Sequence, residues 1–217
     1  MSGIPAHTRG SQESNRQKEH HVTTDSQATA DPRPIFFRAA DQAERVVGAV
    51  RTDQLGGPTP CAEYDVRTLL GHFISVLRRI DTVGRGGHPF EVPQVTTDVP
   101  DDRVAEAFRD ARAAVEKTWS DDAVLDAVLT LPWGEMPGRF ALRGYVSELA
   151  THAWDVAKAT ADPSMLDPEL AEAALASAHA MLPAEPRGGD VPFGPVVDVP
   201  DDAGAYDRLV AWFGRRP

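Results

Sequence analysis

The chain has a single cysteine, Cys61, among its 217 residues. No internal disulfide can form, and a reducing compartment fits that composition. Long hydrophobic runs are missing too: nothing approaches the roughly 18 apolar residues that cross a bilayer, and the N-terminus lacks the apolar core of a secretory signal. The expected location is therefore cytoplasmic. Positive charge is also scarce, since 22 Lys and Arg face 33 Asp and Glu and leave a net charge of −11. Such a balance argues against holding nucleic acid by neutralising phosphates, and against anionic membranes as partners.

Apolar residues are sparse at one end of the chain. Residues 1 to 30, which include "SQESNRQKEHHVTTDSQATA", show no apolar period. They cannot offset the entropy of ordering and are predicted to form a disordered tail. His20 and His21 stand side by side within it; a pair on a flexible segment holds metal only weakly.

Residues 31 to 217 contain what the tail lacks. In "DPRPIFFRAADQAERVVGAV", Phe36, Phe37, Ala40, Ala43, Val47 and Val50 recur at helical spacing after an Asp-Pro start. Asp65 is a natural N-cap for a second helix, from about Val66 to Val83. A third is expected over "DDRVAEAFRDARAAVEKTW", with acids in its first turn. The alternation, prolines and glycine of "AVLTLPWGEMPGRFAL" predict an extended excursion or small hairpin. A fourth helix follows over about 140 to 160, a fifth starts near Pro168, and a short one closes the chain in "DDAGAYDRLVAWFG". This is an all-α bundle with long connections, a short extended excursion and a C-terminal helix.

Few residues carry candidate chemistry. On the fourth helix, Tyr145, Val156, Leu149, Leu142, Ala153 and Val146 share an apolar arc, while Glu148, His152 and Asp155 line its edge within about 60°. His72 stands at the margin of the apolar arc of the second helix. Facing helices that aim carboxylates and imidazoles inward are how bundles build metal sites. Taken alone, though, a Glu and His four apart is a common surface contact worth about a few tenths of a kcal/mol. A lone His72 would more often be a hydrogen-bonded histidine at the core edge. His88 in a Gly-rich loop and His179 among alanines offer less. Cys61 reads as a small packed residue at a tight loop, and Trp133 as a loop anchor.

Three blocks change this weighing. "TPCAEYDVRTLLGHF", "YVSELATHAWDVA" and "FGPVVDVPDDAGAYDRLVAWFGRRP" occur in this order. Together they resemble small bacterial metal-binding proteins related to mycothiol-dependent maleylpyruvate isomerase, within the DinB-like superfamily of four-helix bundles. The resemblance spans about residues 31 to 217. It implies a DinB-like metal-binding domain in which His72, Glu148 and His152 ligate one divalent ion. Relatives usually carry Trp where this chain has Tyr64, a departure expected to concern packing. The isomerase also adds a domain that helps hold its substrate, whereas a short tail stands there in this chain.

Two imidazoles and a carboxylate form a donor set of the type used in catalytic zinc sites, with positions left for water or a thiolate. Zinc is the expected ion; nickel, iron or manganese would accept the same donors. The resemblance implies mycothiol or a similar low-molecular-weight thiol as cosubstrate. The expected role is a metal-dependent thiol transferase or isomerase acting on a small electrophile. The alternative is a non-catalytic metal-binding sensor or interaction module. Asp155 reads either as an acceptor that orients His152 or as a helix-surface charge. Bundles of this kind often pair, which leaves a homodimer open.

Overall fold

Aspartate caps and prolines start the helices at the places where the sequence offers them. The computed structural model describes residues 30–160, 162–189, 191 and 193–217. The expected tail therefore lies outside the described residues, except for its last position. Helix α1, Arg33–Gly48, begins with a proline in its first turn. Helix α2, Val66–Gly84, is capped by Asp65, whose carboxylate accepts the Thr68 N–H at 2.8 Å. A 3₁₀ turn, Asp101–Arg103, leads into α3, Val104–Trp119.

The next element has no counterpart in the sequence reading. Helix α4, Asp122–Asp126, is five residues long and capped by Asp121. It is too short to display a helical period. Strands β1, Val128–Leu131, and β2, Gly134–Pro137, then form the antiparallel hairpin expected there, with Leu129 opposite Met136. Helix α5, Gly138–Thr160, starts as soon as the hairpin closes. Helix α6, Pro168–Met181, is capped by Asp167, and α7, Ala205–Trp212, closes the fold.

Residues 32–217 form one compact unit, in which α1 packs on α5, α2 on α3, α5 on α6 and α6 on α7. This is the all-α, DinB-like bundle that the sequence predicts. Its core is built around Phe36, Phe73, Phe108 and Trp119, each without exposed surface. Phe73 and Phe108 meet edge to face at 5.4 Å. Each such ring contributes roughly 1.5–3 kcal/mol by leaving water. Gln42, a polar group taken fully into this core, is partnered at both ends of its amide: it donates to Tyr206 Oη at 2.6 Å and accepts the Asp167 N–H at 2.6 Å. One amide thus ties α1 to α7 and to the cap of α6. Among the described residues, no helix is long and apolar enough to cross a membrane.

Candidate metal centre

Contact between α2 and α5 brings the three candidate ligands together. His72, Glu148 and His152 each present a ligand atom, and these atoms all lie within 4.8 Å of one another. Glu148 Oε1 is 3.5 Å from His72 Nε2 and 3.5 Å from His152 Nε2. Those are ion-pair separations, longer than a good hydrogen bond. The two imidazoles meet edge to face with centroids 5.0 Å apart. Both histidines are buried, and Glu148 keeps 36% of its side chain exposed.

Behind His72 stands a loop. The residue before it, Gly71, has no side chain to hold the chain away: a Cβ there would lie 2.4 Å from the Thr96 carbonyl oxygen. The loop therefore docks directly on α2, with the Thr96 N–H donating to the Gly71 carbonyl at 3.1 Å and Ser75 Oγ 2.9 Å from Thr96 Oγ1. Docking places the Gln94 carbonyl 2.9 Å from His72 Nδ1. A carbonyl can only accept, so Nδ1 carries the proton and Nε2 is left to face Glu148. Tyr64 packs on the His72 ring at 5.3 Å, and its hydroxyl accepts from Gln94 Nε2 at 3.2 Å. Its contact is with a candidate ligand and the loop that supports it, which is more than the general packing expected of this position.

Behind His152 stands a charge pair. Asp155 has no exposed surface, so the reading as a surface charge is excluded by its burial. Its Oδ2 accepts from His152 Nδ1 at 3.0 Å. The same carboxylate accepts Arg215 Nε on Oδ1 at 2.7 Å and Arg215 Nη2 on Oδ2 at 2.8 Å. The C-terminus of α7 puts Arg215 there. Gly214 adopts a left-handed φ of 81°, the Gly214 N–H bonds the Ala211 carbonyl at 3.0 Å, and the Arg215 N–H bonds Val210 at 2.9 Å. This is a Schellman cap, with glycine at the position that favours it. The expected edge of the core is therefore covered: a loop lies over one imidazole and the chain terminus backs the other.

The electrostatics follow from the convergence of acceptors. With both Nδ1 atoms committed to donation, two Nε2 atoms and a carboxylate aim at one place, an arrangement that calls for a proton or a cation. Burial alone would lower the pKa of His152, but Asp155 and Glu148 overcome it and raise the group to about 9. For Glu148, burial works upward, and the two imidazoles hold the carboxyl well below its ordinary range. Nearby, the pKa of the Tyr145 phenol is pushed up by burial, and its hydroxyl has no hydrogen-bond partner among the described residues.

Other candidates stay apart. The His88 side chain caps the 3₁₀ turn Pro89–Glu91, and His179 packs edge-on against Trp212 at 4.2 Å. Trp133 is 48% exposed and leans on Tyr145 at 5.1 Å. Cys61 is only partly buried, and burial pushes its thiol pKa up, which opposes a nucleophilic role. A cavity of about 680 Å³ formed by the loop after α6, with Arg187 and Asp198 in its wall, includes none of the three ligands. Sequence reasoning missed Gln94 and Arg215. Gln94 contributes a backbone carbonyl, which no side-chain pattern reveals. Arg215 could have been found from "FGRRP", because a glycine that ends a helix fixes the direction of the residue after it.

Comparison with known proteins adds sequence relatives. The family model described as the mycothiol maleylpyruvate isomerase N-terminal domain matches residues 36–157. Two uncharacterised proteins of Mycobacterium tuberculosis, from strains CDC 1551 / Oshkosh and ATCC 25618 / H37Rv, are each 37% identical over 186 residues. The alignment covers 85% of this chain and 98% of each of them. No solved structure matches the chain.

Proposed function

Because the chain belongs to the mycothiol maleylpyruvate isomerase N-terminal domain family, we propose that His72, Glu148 and His152 hold one divalent ion and that the protein is a thiol-dependent enzyme. The observation that carries this reading is the fixed orientation of the two imidazoles. Each Nδ1 is engaged by an acceptor, Gln94 or Asp155, and each Nε2 turns toward the same carboxylate oxygen. Two imidazoles and a carboxylate fit zinc, and also nickel, iron or manganese. Such an ion, when bound, supplies acidity: it lowers the pKa of a coordinated thiol so that thiolate is available near neutral pH.

The residues of this chain do the rest. Asp155 and the Gln94 carbonyl keep the rings from turning, as partners of ligating histidines do. Apolar neighbours restrict water, with Phe73 5.8 Å from the His152 ring. The exposed edge of Glu148 is the side from which a small thiol and an electrophile would approach. The proposed reaction is transfer of a mycothiol-like thiol to a small electrophile, or isomerisation of that electrophile. The proposed unit is the domain of residues 31–217, acting in the cytoplasm.

The experiment has two parts. The metal content of protein purified without a histidine tag should be close to one divalent ion per chain. Thiol consumption with a panel of small electrophiles should then be accelerated by the protein, and a chelator should abolish the gain. Full activity after verified metal removal would overturn the mechanism. One bound ion with no acceleration across the panel would favour the non-catalytic alternative, a metal-binding sensor or interaction module.

A further inference from the structure

We infer that Arg215 is a positioning residue for this centre, acting on His152 through Asp155 and making the closed C-terminus a condition of tight metal binding. The inference rests on the metal-binding reading above. It adds a residue well outside the span matched by the family model, residues 36–157.

Asp155 can hold the His152 ring only while its carboxylate stays in place. A carboxylate with no exposed surface calls for a counter-charge and for partners on both oxygens. Arg215 supplies the charge in a form that also fixes geometry. Its planar fork meets both oxygens, at 2.7 Å and 2.8 Å, and its side chain is 14% exposed. One oxygen, Oδ2, is shared between Arg215 Nη2 and His152 Nδ1, at 2.8 Å and 3.0 Å. Rotation of the carboxylate away from the guanidinium therefore moves the acceptor that sets the imidazole.

The backbone of Arg215 is fixed independently. Beyond the Schellman cap, a Cβ on Gly214 would lie 3.0 Å from the Gly194 Cα, so the chain terminus passes close against the 193–198 segment. The Val197 N–H also donates to the Ala211 carbonyl at 3.0 Å. The terminus is thus anchored on both sides, and Arg215 carries its charged contact to Asp155.

The test is zinc affinity by calorimetry on the full chain and on Arg215→Ala, Arg215→Lys, Asp155→Ala and the Asp155→Ala/Arg215→Ala pair. It is combined with solvent exchange of the His152 Nδ1 proton, read by NMR with and without zinc. Loss of Arg215 should weaken zinc binding about 10-fold, the lower end of the range for groups that support a ligand. Lysine, a single-point cation, should restore part of the affinity. The double variant should bind zinc no more weakly than Asp155→Ala alone, because Arg215 works only through Asp155. The ring proton should exchange measurably faster in Arg215→Ala than in the parent, because its acceptor is no longer held in place. Parent-like affinity and proton exchange in Arg215→Ala, or additive losses in the pair, would overturn the inference. Should Arg215→Ala not fold, Arg215→Lys decides: unchanged affinity and exchange there count against it. A parent that binds no zinc overturns the metal reading instead, and exchange in the zinc-free proteins still decides the role of Arg215.

Discussion

His72 and His152 face each other 5.0 Å apart, yet the material behind each ring is different. One is held by the neutral Gln94 carbonyl, carried on a loop that depends on Gly71 for its seat. The other is held by a buried carboxylate whose charge is met by Arg215 from the end of the chain. A neutral support is sensitive to backbone position and nearly indifferent to pH. A charged support in a dry place is sensitive to the loss of either partner, and it makes the imidazole it holds sensitive to pH. The two halves of the site should therefore fail in different ways.

The largest effect removes the halves themselves. Alanine at His72, Glu148 or His152 should each weaken divalent-ion binding by more than the roughly 10- to 100-fold that follows from losing a supporting group. Alanine at His88 or His179 should change nothing, since neither belongs to the cluster. Calorimetry on all five variants checks this. Parent-like binding in His72→Ala would mean that α2 takes no part in the site.

Asp155→Ala comes next and tests the charged half alone. It leaves the Arg215 guanidinium largely buried without its partner, for which about 3–5 kcal/mol of stability is the expected loss. Denaturant unfolding of the metal-free protein measures it. A loss under about 1 kcal/mol, the scale of exposed pairs, would mean that the pair is hydrated in solution.

A pH series separates the halves without mutation. In the metal-free protein the His152 pKa is raised, by Asp155 and Glu148 against burial, to about 9. The folded state binds this proton more tightly than the unfolded chain, in which an imidazole titrates near 6.5. The resulting stability is fully present below about pH 6.5 and is lost as pH rises toward 9. By linkage it amounts to no more than roughly 3 kcal/mol. Metal affinity should rise over the same window, because the ion competes with that proton. Melting temperature against pH should thus fall through this window with chelator and stay nearly level with excess zinc, because the zinc-bound folded state and the unfolded chain both lack that proton there. In His152→Gln the slope with chelator should flatten; persistence of the full slope would place the titrating group elsewhere.

The neutral half answers to sterics. Gly71→Ala forces a Cβ against the Thr96 carbonyl, with nothing flexible to give way. About 1–3 kcal/mol of stability should go, as in other overpacked contacts. Metal affinity should fall as well, because Gln94 travels with the loop. Intact affinity in Gly71→Ala would show that His72 needs no acceptor behind it.

The same contrast explains what could be read from the sequence. The helices were legible because Asp65 and Asp167 cap where they should and the apolar arcs recur at helical spacing. Glu148 and His152 were legible as neighbours because one helix carries both. Periodicity puts His72 at the margin of the apolar arc of its helix, and the resemblance of its block joins it to Glu148 and His152, since periodicity cannot say which faces of two remote helices meet. Asp155 stands between two readings that its burial separates: a wheel places it at the edge of α5, and Arg215 meets it there. The loop carbonyl behind His72 leaves no trace in side-chain chemistry. Helix α4, at five residues, is shorter than the window in which a period can be counted.

The smallest effect concerns Tyr64. Its ring packs on His72 at 5.3 Å, and its hydroxyl accepts from Gln94 Nε2 at 3.2 Å. Phenylalanine keeps the ring and removes one exposed hydrogen bond, worth about 0.5–1.5 kcal/mol. The Gln94 carbonyl that holds His72 belongs to the backbone, and Thr96 anchors its loop on α2 independently. Most of the hydroxyl's loss should therefore fall on the Gln94 side chain and little on the metal. Tyr64→Phe is expected to weaken zinc binding less than about threefold, which is under 1 kcal/mol. Tyr64→Ala removes the ring as well and should cost more. If Tyr64→Phe instead lowers affinity as far as Asp155→Ala does, the loop is held chiefly by this hydroxyl, and the neutral half of the site is as fragile as the charged one.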